Sequence, residues 1–232
     1  QAVVQATHHC NNRMAFGKRL SEQPLMQNVL ADLVIESEAA LAFSMRIAGA
    51  LDNSQNNEQD KLLVRLGTAV GKYWICKRAP GHAYEAMECI GGAGVMEDCI
   101  MPRLFRESPV NSIWEGSGNV QCLDMMRAIG KNPATLEAFM AEVAQAKGVN
   151  VQLDRAINSL GNCFKDQKTM EYRARSIVQE MALAIHASTL ILHGDAKVAE
   201  AYCASRLSDD NQGWVYGTLP TGIDCAALIV PI

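Results

Sequence analysis

The sequence predicts an all-α protein built as helical bundles. Three observations carry that expectation. Apolar residues recur at helical spacing through long segments, above all Pro24 to Leu51 and Thr169 to Leu192. No strand-type alternation of apolar and polar residues persists anywhere in the 232 residues. Glycine, proline and asparagine fall mostly between the periodic segments, where they mark ends and turns. Such patterns bury their apolar stripes by packing helix on helix.

In order, residues 1 to about 15 read as the end of a helix that Phe16-Gly17 stops. Ser21 to Pro24 form the connection, and proline suits the first position of the next helix. From Pro24 to Leu51, Leu25, Val29, Leu33, Ala40 and Ile47 line one side. Met26, Leu30 and Val34 widen that stripe, as in a buried bundle helix. Asp52 to Asn57 is a polar loop. Residues 58 to about 77 form another helix, with Leu62, Leu66, Ala69, Val70, Tyr73 and Trp74. Pro80-Gly81 is expected to break it, and a separate helix to run from His82 to Ile90 and stop at Gly91-Gly92. Residues 95 to 116 read as loop, with a helical turn near Met101 to Arg106. Ser117 to Ile129 is helix, with Val120, Leu123, Met126 and Ile129 at apolar spacing. Gly130 and Pro133 end it and mark a domain boundary, 1–132 against 133–232. Beyond it, Pro133 to Lys147 reads as helix, and Gly148 to Asn150 as a break. Leu153, Ile157, Leu160 and Phe164 mark the next helix. Thr169 to Leu192 turns Ile177, Met181, Ala184, Ile185, Ser188 and Ile191 inward. Asp195 caps a helix to Leu207. Ser208 to Gly222 is turn-rich.

Composition narrows function. Hydrophobic residues are 49% and charged residues 20%, the balance of a folded globular chain. A net charge of −4 gives no general attraction to phosphate backbones. The eight cysteines form no C-x-x-C pair, so their spacing gives no zinc site. The five histidines form no metal spacing either. With no signal peptide in view, a reducing cytoplasm is the expected compartment. The longest apolar run, Met181 to Leu192, is too short to span a bilayer.

The stretch with most chemistry is Val110-Asn111-Ser112-Ile113-Trp114-Glu115-Gly116-Ser117-Gly118-Asn119. It gathers a carboxylate, a hydroxyl and an amide at a helix N-terminus, where free N–H groups favour acceptor atoms. Ser117 also suits a plain N-cap. Two more segments stand out: Arg13-Met14-Ala15-Phe16-Gly17-Lys18 and Glu88-Cys89-Ile90-Gly91-Gly92-Ala93-Gly94. The latter is not a dinucleotide fingerprint, because no strand precedes it.

Together these three segments resemble the acyl-CoA dehydrogenase family, in its order and spacing. WEGSGN looks like the family's EGT signature, RMAFGK its R-x-x-F-G-K, and ECIGGAG its Q-x-x-G-G-x-G. The wording around them, with His8-His9-Cys10 before Arg13 and Pro109-Val110 upstream of Glu115, is most similar to the AidB-like branch. The resemblance implies the family's C-terminal helical bundle in residues 1–132, then an extra helical domain. It also implies that two earlier domains, one helical and one β, precede Gln1, making this a C-terminal fragment. It makes FAD the cofactor, acyl-CoA the substrate, and a homodimer or homotetramer the assembly. Glu115 is then the base that removes the α-proton, with Trp114 keeping water away. Some relatives carry the base upstream of the R-x-x-F-G motif instead.

Arg13 would meet the flavin pyrophosphate, often a neighbouring subunit's, a bidentate task suited to arginine. Phe16 accompanies it or packs in the core. Glu88 replaces a glutamine that meets the flavin's adenine side, and a carboxylate cannot donate as an amide does. Gly91 and Gly92 permit close approach. Ser117 and Asn119 stand where the family has Thr and Gln near the flavin. The branch also implies a link to DNA and alkylation damage. After Pro133 eight basic residues face eleven acidic ones, and Lys165, Lys168, Arg173 and Arg175 form the one basic cluster. A solvated helix face explains that cluster as well. Two other readings stand beside the dehydrogenase: a DNA-associated protection factor, and a helical assembly module with a structural flavin.

Overall fold

The computed structural model describes residues 1–208 and 215–229. Ten helices among them carry the fold. Helix α1 (Ala2–Asn12) leads into a minimal hairpin, β1 (Met14–Ala15) against β2 (Lys18–Arg19), with Met14 opposite Arg19 and Ala15 opposite Lys18. The long helices α2 (Pro24–Asn53) and α3 (Glu58–Ile90) follow. Then come α4 (Met101–Glu107), α5 (Gly118–Lys131), α6 (Ala134–Ala144), α7 (Val151–Cys163), α8 (Met170–His193), α9 (Ala196–Arg206) and the short α10 (Cys225–Leu228).

Helix starts follow local chemistry. Asn57 caps α3 through the Asp60 N–H, and Asn150 caps α7 through Gln152 and Leu153. Asp195 caps α9 through Lys197 and Val198, as expected. Pro24 sits in the first turn of α2.

Helix α8 is the central element. Residues 181–190 are buried on every side, against α2, α3, α5, α6, α7 and α9. One apolar cluster therefore runs from Ile35 and Phe43 of α2 through Val70 and Met125 to Phe139, Leu160, Met181 and Tyr202. It crosses residue 132 without interruption. A smaller cluster joins Val3, Ala6 and Cys10 of α1 to Leu30, Leu33, Met87, Met101 and Tyr216.

Buried charges stitch the same helices. Arg46 of α2 bonds Glu142 of α6 at 2.5 Å and Asp60 of α3 at 2.9 Å. Arg206 of α9 reaches Asp32 and Glu36 of α2, and Arg78 of α3 meets Glu36 at 3.1 Å. Asp32 also accepts from the Gly217 N–H, and Asn28 exchanges two bonds with the Leu219 backbone.

Four expectations need correction. Helix α1 ends at Asn12, three residues early, because the chain turns into the hairpin. Pro80 does not break α3. It lacks an N–H for the Cys76 carbonyl, yet the helix is pinned on both sides of it. Arg78 binds Glu36, and His82 Nε2 lies 3.0 Å from the Leu33 carbonyl. The buried face of α2 runs through Leu30, Leu33, Asp32, Ile35, Glu36, Ala39 and Phe43, leaving Leu25 83% exposed. On α5 the buried residues are Gly118, Cys122, Met125 and Ala128, and Val120 and Leu123 are exposed. Of the turn-rich span 208–222, residues 209–214 lie outside the described residues.

Candidate functional site

Glu115 sits on the turn between α4 and α5 with φ of 55°, in the left-handed region. For a residue with a Cβ that conformation costs of order 1–3 kcal/mol, and surrounding contacts must impose it. They come from two helices. Lys72 Nζ, on α3, donates to the carbonyls of Asn111 (2.7 Å), Trp114 (2.7 Å) and Gly116 (3.1 Å). Gln121 Nε2, on α5, donates to the carbonyls of Glu115 (2.9 Å) and Gly116 (3.2 Å). A side chain at Gly118 would meet Lys77 Cε at 2.9 Å and Tyr73 Cε2 at 3.3 Å, so the turn lies flat on α3. Glu115, Ser117 and Asn119 are all exposed. Ser117 occupies the N-cap position of α5, but its hydroxyl makes no capping bond. Trp114, expected to keep water from Glu115, is itself 58% exposed.

The hairpin places Arg13 at its base and Phe16 at its tip. Phe16 has φ of 52° and Gly17 of 78°, the pair of positive angles that closes a two-residue hairpin. Asparagine or glycine usually fills the first place. Phe16 is 98% exposed, which removes the core-packing alternative.

The ECIGGAG segment ends α3 and continues as a tight turn, Gly91–Val95. Its three glycines have different reasons. Gly91 has φ of 72°. Gly94 faces the Met87 carbonyl, 2.5 Å from where a Cβ would stand. At Gly92 nothing in the chain lies within 4 Å of that point, so the fold itself does not require glycine there. Glu88 is exposed on the last turn of α3.

A cleft of about 680 Å³ joins two of these groups. Arg13, His9 and Asn12 line one side, and Ile90, Ala93, Asp98 and Cys99 the other. Burial, helped by Arg13 and then His8, lowers the pKa of His9. The walls of this cleft include no residue of the 113–119 turn. The chain thus gathers Arg13 and the glycine segment, and holds Glu115, Ser117 and Asn119 as a separate group.

The basic cluster is not one uniform surface. Lys165 and Lys168 are exposed. Arg173 donates to Thr169 Oγ1 and to the carbonyls of Cys163 and Asp166. Arg175, two residues on, points elsewhere on α8 and meets the Tyr73 hydroxyl at 3.3 Å. Sequence reasoning missed Lys72 and Gln121. Nothing in their spacing marks them, since their partners lie in other elements or on backbone carbonyls.

A family profile described as "Acyl-CoA dehydrogenase, C-terminal domain" matches residues 1–130, more than half of the chain. The chain belongs to the acyl-CoA dehydrogenase family. It is 35% identical over 215 residues to the putative acyl-CoA dehydrogenase AidB of Escherichia coli, covering 93% of this chain and 39% of that protein. The crystal structure of Caenorhabditis elegans ACDH-11 in complex with C11-CoA superposes with a TM-score of 0.81 at 27% identity, over 93% of this chain and 42% of that one. An acyl-CoA dehydrogenase from Bacillus anthracis, complexed with FAD, shares the fold with a TM-score of 0.64 at 16% identity, over 88% of this chain and 43% of its own. The chain therefore spans about two fifths of the length of these relatives. AidB-like similarity and the all-α C-terminal bundle are as the motifs imply. Among these relatives, FAD is bound in the Bacillus anthracis dehydrogenase. Among the described residues no helix is long and apolar enough to cross a membrane.

Proposed function

We propose that this chain carries the base and part of the flavin site of an FAD-dependent acyl-CoA dehydrogenase. The observation that carries the reading is Glu115: an exposed carboxylate on a left-handed turn that two flanking helices hold in place. A fixed carboxylate at the N-terminus of α5 can take a proton from a carbon acid placed against it. When bound, FAD supplies the hydride acceptor for the α,β-dehydrogenation. The residues present fit such a group. Gly92 leaves open space that its own fold does not use, and Arg13 lines one cleft with Ile90 and Ala93 of the same glycine segment. Ser117 offers a hydroxyl without an intrachain capping role, and Asn119 an exposed amide. Glu88 and Asp98 work against the fit, because both add negative charge near a pyrophosphate.

The exposed Phe16 and the outward hairpin support a homodimer or homotetramer in which Arg13 and Phe16 reach a neighbouring subunit's cofactor. ACDH-11, the relative solved with C11-CoA, supports an acyl-CoA as substrate. The eight free cysteines support a reducing, cytoplasmic setting. The end of the family match at residue 130 supports a division at 132/133, although one core packs both parts. A DNA-facing role for the later segment rests on likeness to AidB, with Lys165, Lys168 and Arg175 the exposed members of the basic cluster and Arg173 half-buried beside them.

The test is Glu115→Gln in flavin-loaded protein. Flavin content and thermal stability should hold, because the substitution is nearly isosteric. Reduction by acyl-CoA should fall by ~10²–10⁴, the usual contribution of a general base. Unchanged reduction in fully flavinated protein rules Glu115 out.

A further inference from the structure

We propose that Lys72 is a positioning residue for the turn that carries Glu115, acting on the base entirely through the backbone. The proposal rests on the reading of Glu115 as the base. An ammonium has three N–H donors and no acceptor. On Lys72 the hydrogen bonds to described residues all go to carbonyls of one turn, those of Asn111, Trp114 and Gly116. Bonds from a charged donor are roughly twice as strong as neutral ones, so this is a firm anchor.

The turn needs an outside anchor. Glu115 and Gly116 both have positive φ, 55° and 104°. Among the described residues, no backbone N–H bonds the carbonyls of Trp114, Glu115 or Gly116. Side chains of the flanking helices do so instead: Lys72 takes Trp114 and Gly116, and Gln121 takes Glu115 and shares Gly116. Across a trans peptide the C=O and the following N–H point opposite ways. Drawing the Trp114 and Gly116 carbonyls onto α3 therefore turns the N–H groups of Glu115 and Ser117 away from it. Lys72 sets both the angle at which Glu115 leaves the chain and the side on which its N–H is offered. The ammonium itself is spent on carbonyls, and this separates its role from that of an acid or a base.

Lys72→Met keeps the length and apolar stem and removes every donor. In the 232-residue chain, amide exchange at Ile113 and Trp114, whose N–H groups bond the Val110 carbonyl within the anchored segment, read by mass spectrometry, should accelerate ~10-fold or more, because local opening no longer breaks the three Lys72 bonds. The buried stretch 181–190 of α8 should exchange as before. In flavin-loaded protein, reduction by butyryl-, octanoyl- and palmitoyl-CoA should slow ~10-fold or more at saturation, with KM within ~3-fold, the split expected of an effect on the transition state alone. In a Glu115→Gln background the same substitution should add no further slowing. Lys72→Arg should restore little, since a planar fork does not match three carbonyls converging on one point.

Unchanged exchange at Ile113 and Trp114 overturns the proposal whatever the kinetics do. So does equal slowing with and without the Glu115 carboxylate, which would mean that Lys72 acts elsewhere. If Glu115→Gln alone leaves reduction unchanged, the base reading fails separately, and the exchange result still decides whether Lys72 holds the turn. Should Lys72→Met not fold, Lys72→Arg carries the same measurements.

Discussion

At the scale of single residues, the least expected group is His186. It is fully buried between the Phe43 ring at 5.2 Å and the Tyr202 ring at 6.2 Å, and neither ring nitrogen has a partner among the described residues. Burial pushes its pKa down to about 4, against a weaker upward pull from Glu36. Glu36 itself is buried, which works to raise its pKa, but Arg78 and Arg206 outweigh burial and hold it at about 2. Both shifts have the same consequence for stability. The unfolded chain binds each proton before the folded chain does, so acidification favours unfolding. His186 weakens the fold as pH falls from about 6.5 to about 4, and Glu36 from about 4.5 to about 2. His186→Leu removes the upper limb, worth on the order of 3 kcal/mol in full. It orphans no partner, so stability at neutral pH should stay level or rise. Urea titrations at pH 7.5, 6, 5 and 4.5 check this: an undiminished loss between pH 6.5 and 4.5 would show that His186 does not titrate with folding.

At the scale of elements, α2 and α3 lie close because α3 presents glycine where they cross. A Cβ at Gly67 would stand 2.6 Å from Ile47 Cδ1, and one at Gly71 would stand 2.8 Å from Phe43 Cε1. The neighbours differ in how far they can give. Ile47 is half-buried and can rotate its terminal methyl, whereas Phe43 is wedged against His186. Gly71→Ala should therefore cost about 1–3 kcal/mol by overpacking, and Gly67→Ala clearly less; thermal unfolding of the two variants side by side reads the difference. The helices were legible in the sequence because their apolar periodicity is long. What escaped was set by contacts periodicity does not encode. Pro80 stays helical because Arg78 and His82 are tied to α2 on either side of it. The hairpin after Asn12 has two-residue strands, too short to show alternation. The Glu115 turn was found from its residue types, but Lys72 was not, since it stands some forty residues upstream with no motif around it.

At the scale of the whole molecule, the helices after residue 133 complete a core that the family segment begins. Arg206 of α9 makes the point, because its carboxylate partners Asp32 and Glu36 lie 174 and 170 residues away. No local pattern could have revealed that pairing. Removing one partner of a buried ion pair leaves charge without compensation. Arg206→Met should lower global stability by about 3–5 kcal/mol. Arg103→Met, which breaks the exposed pair with Glu107 on α4, should move it little. Urea denaturation followed by far-UV circular dichroism compares the two, and equal midpoints would show that the buried network adds nothing.

The central place of α8 also has a consequence for how the chain is made. Synthesis runs from the N-terminus, so the faces of α2, α3 and α5 that α8 covers leave the ribosome first. At ~5–20 residues per second, the roughly sixty residues from the end of α5 to the end of α8 take roughly 3–12 s to add. For that interval Phe43, Val70 and Met125 have no lid, and the nascent bundle offers a greasy wall to anything nearby. Ribosome-bound chaperones have a defined client window here, and neighbouring chains on one message have a defined opportunity to stick to each other. Codon usage between Asn132 and His193 sets the length of both.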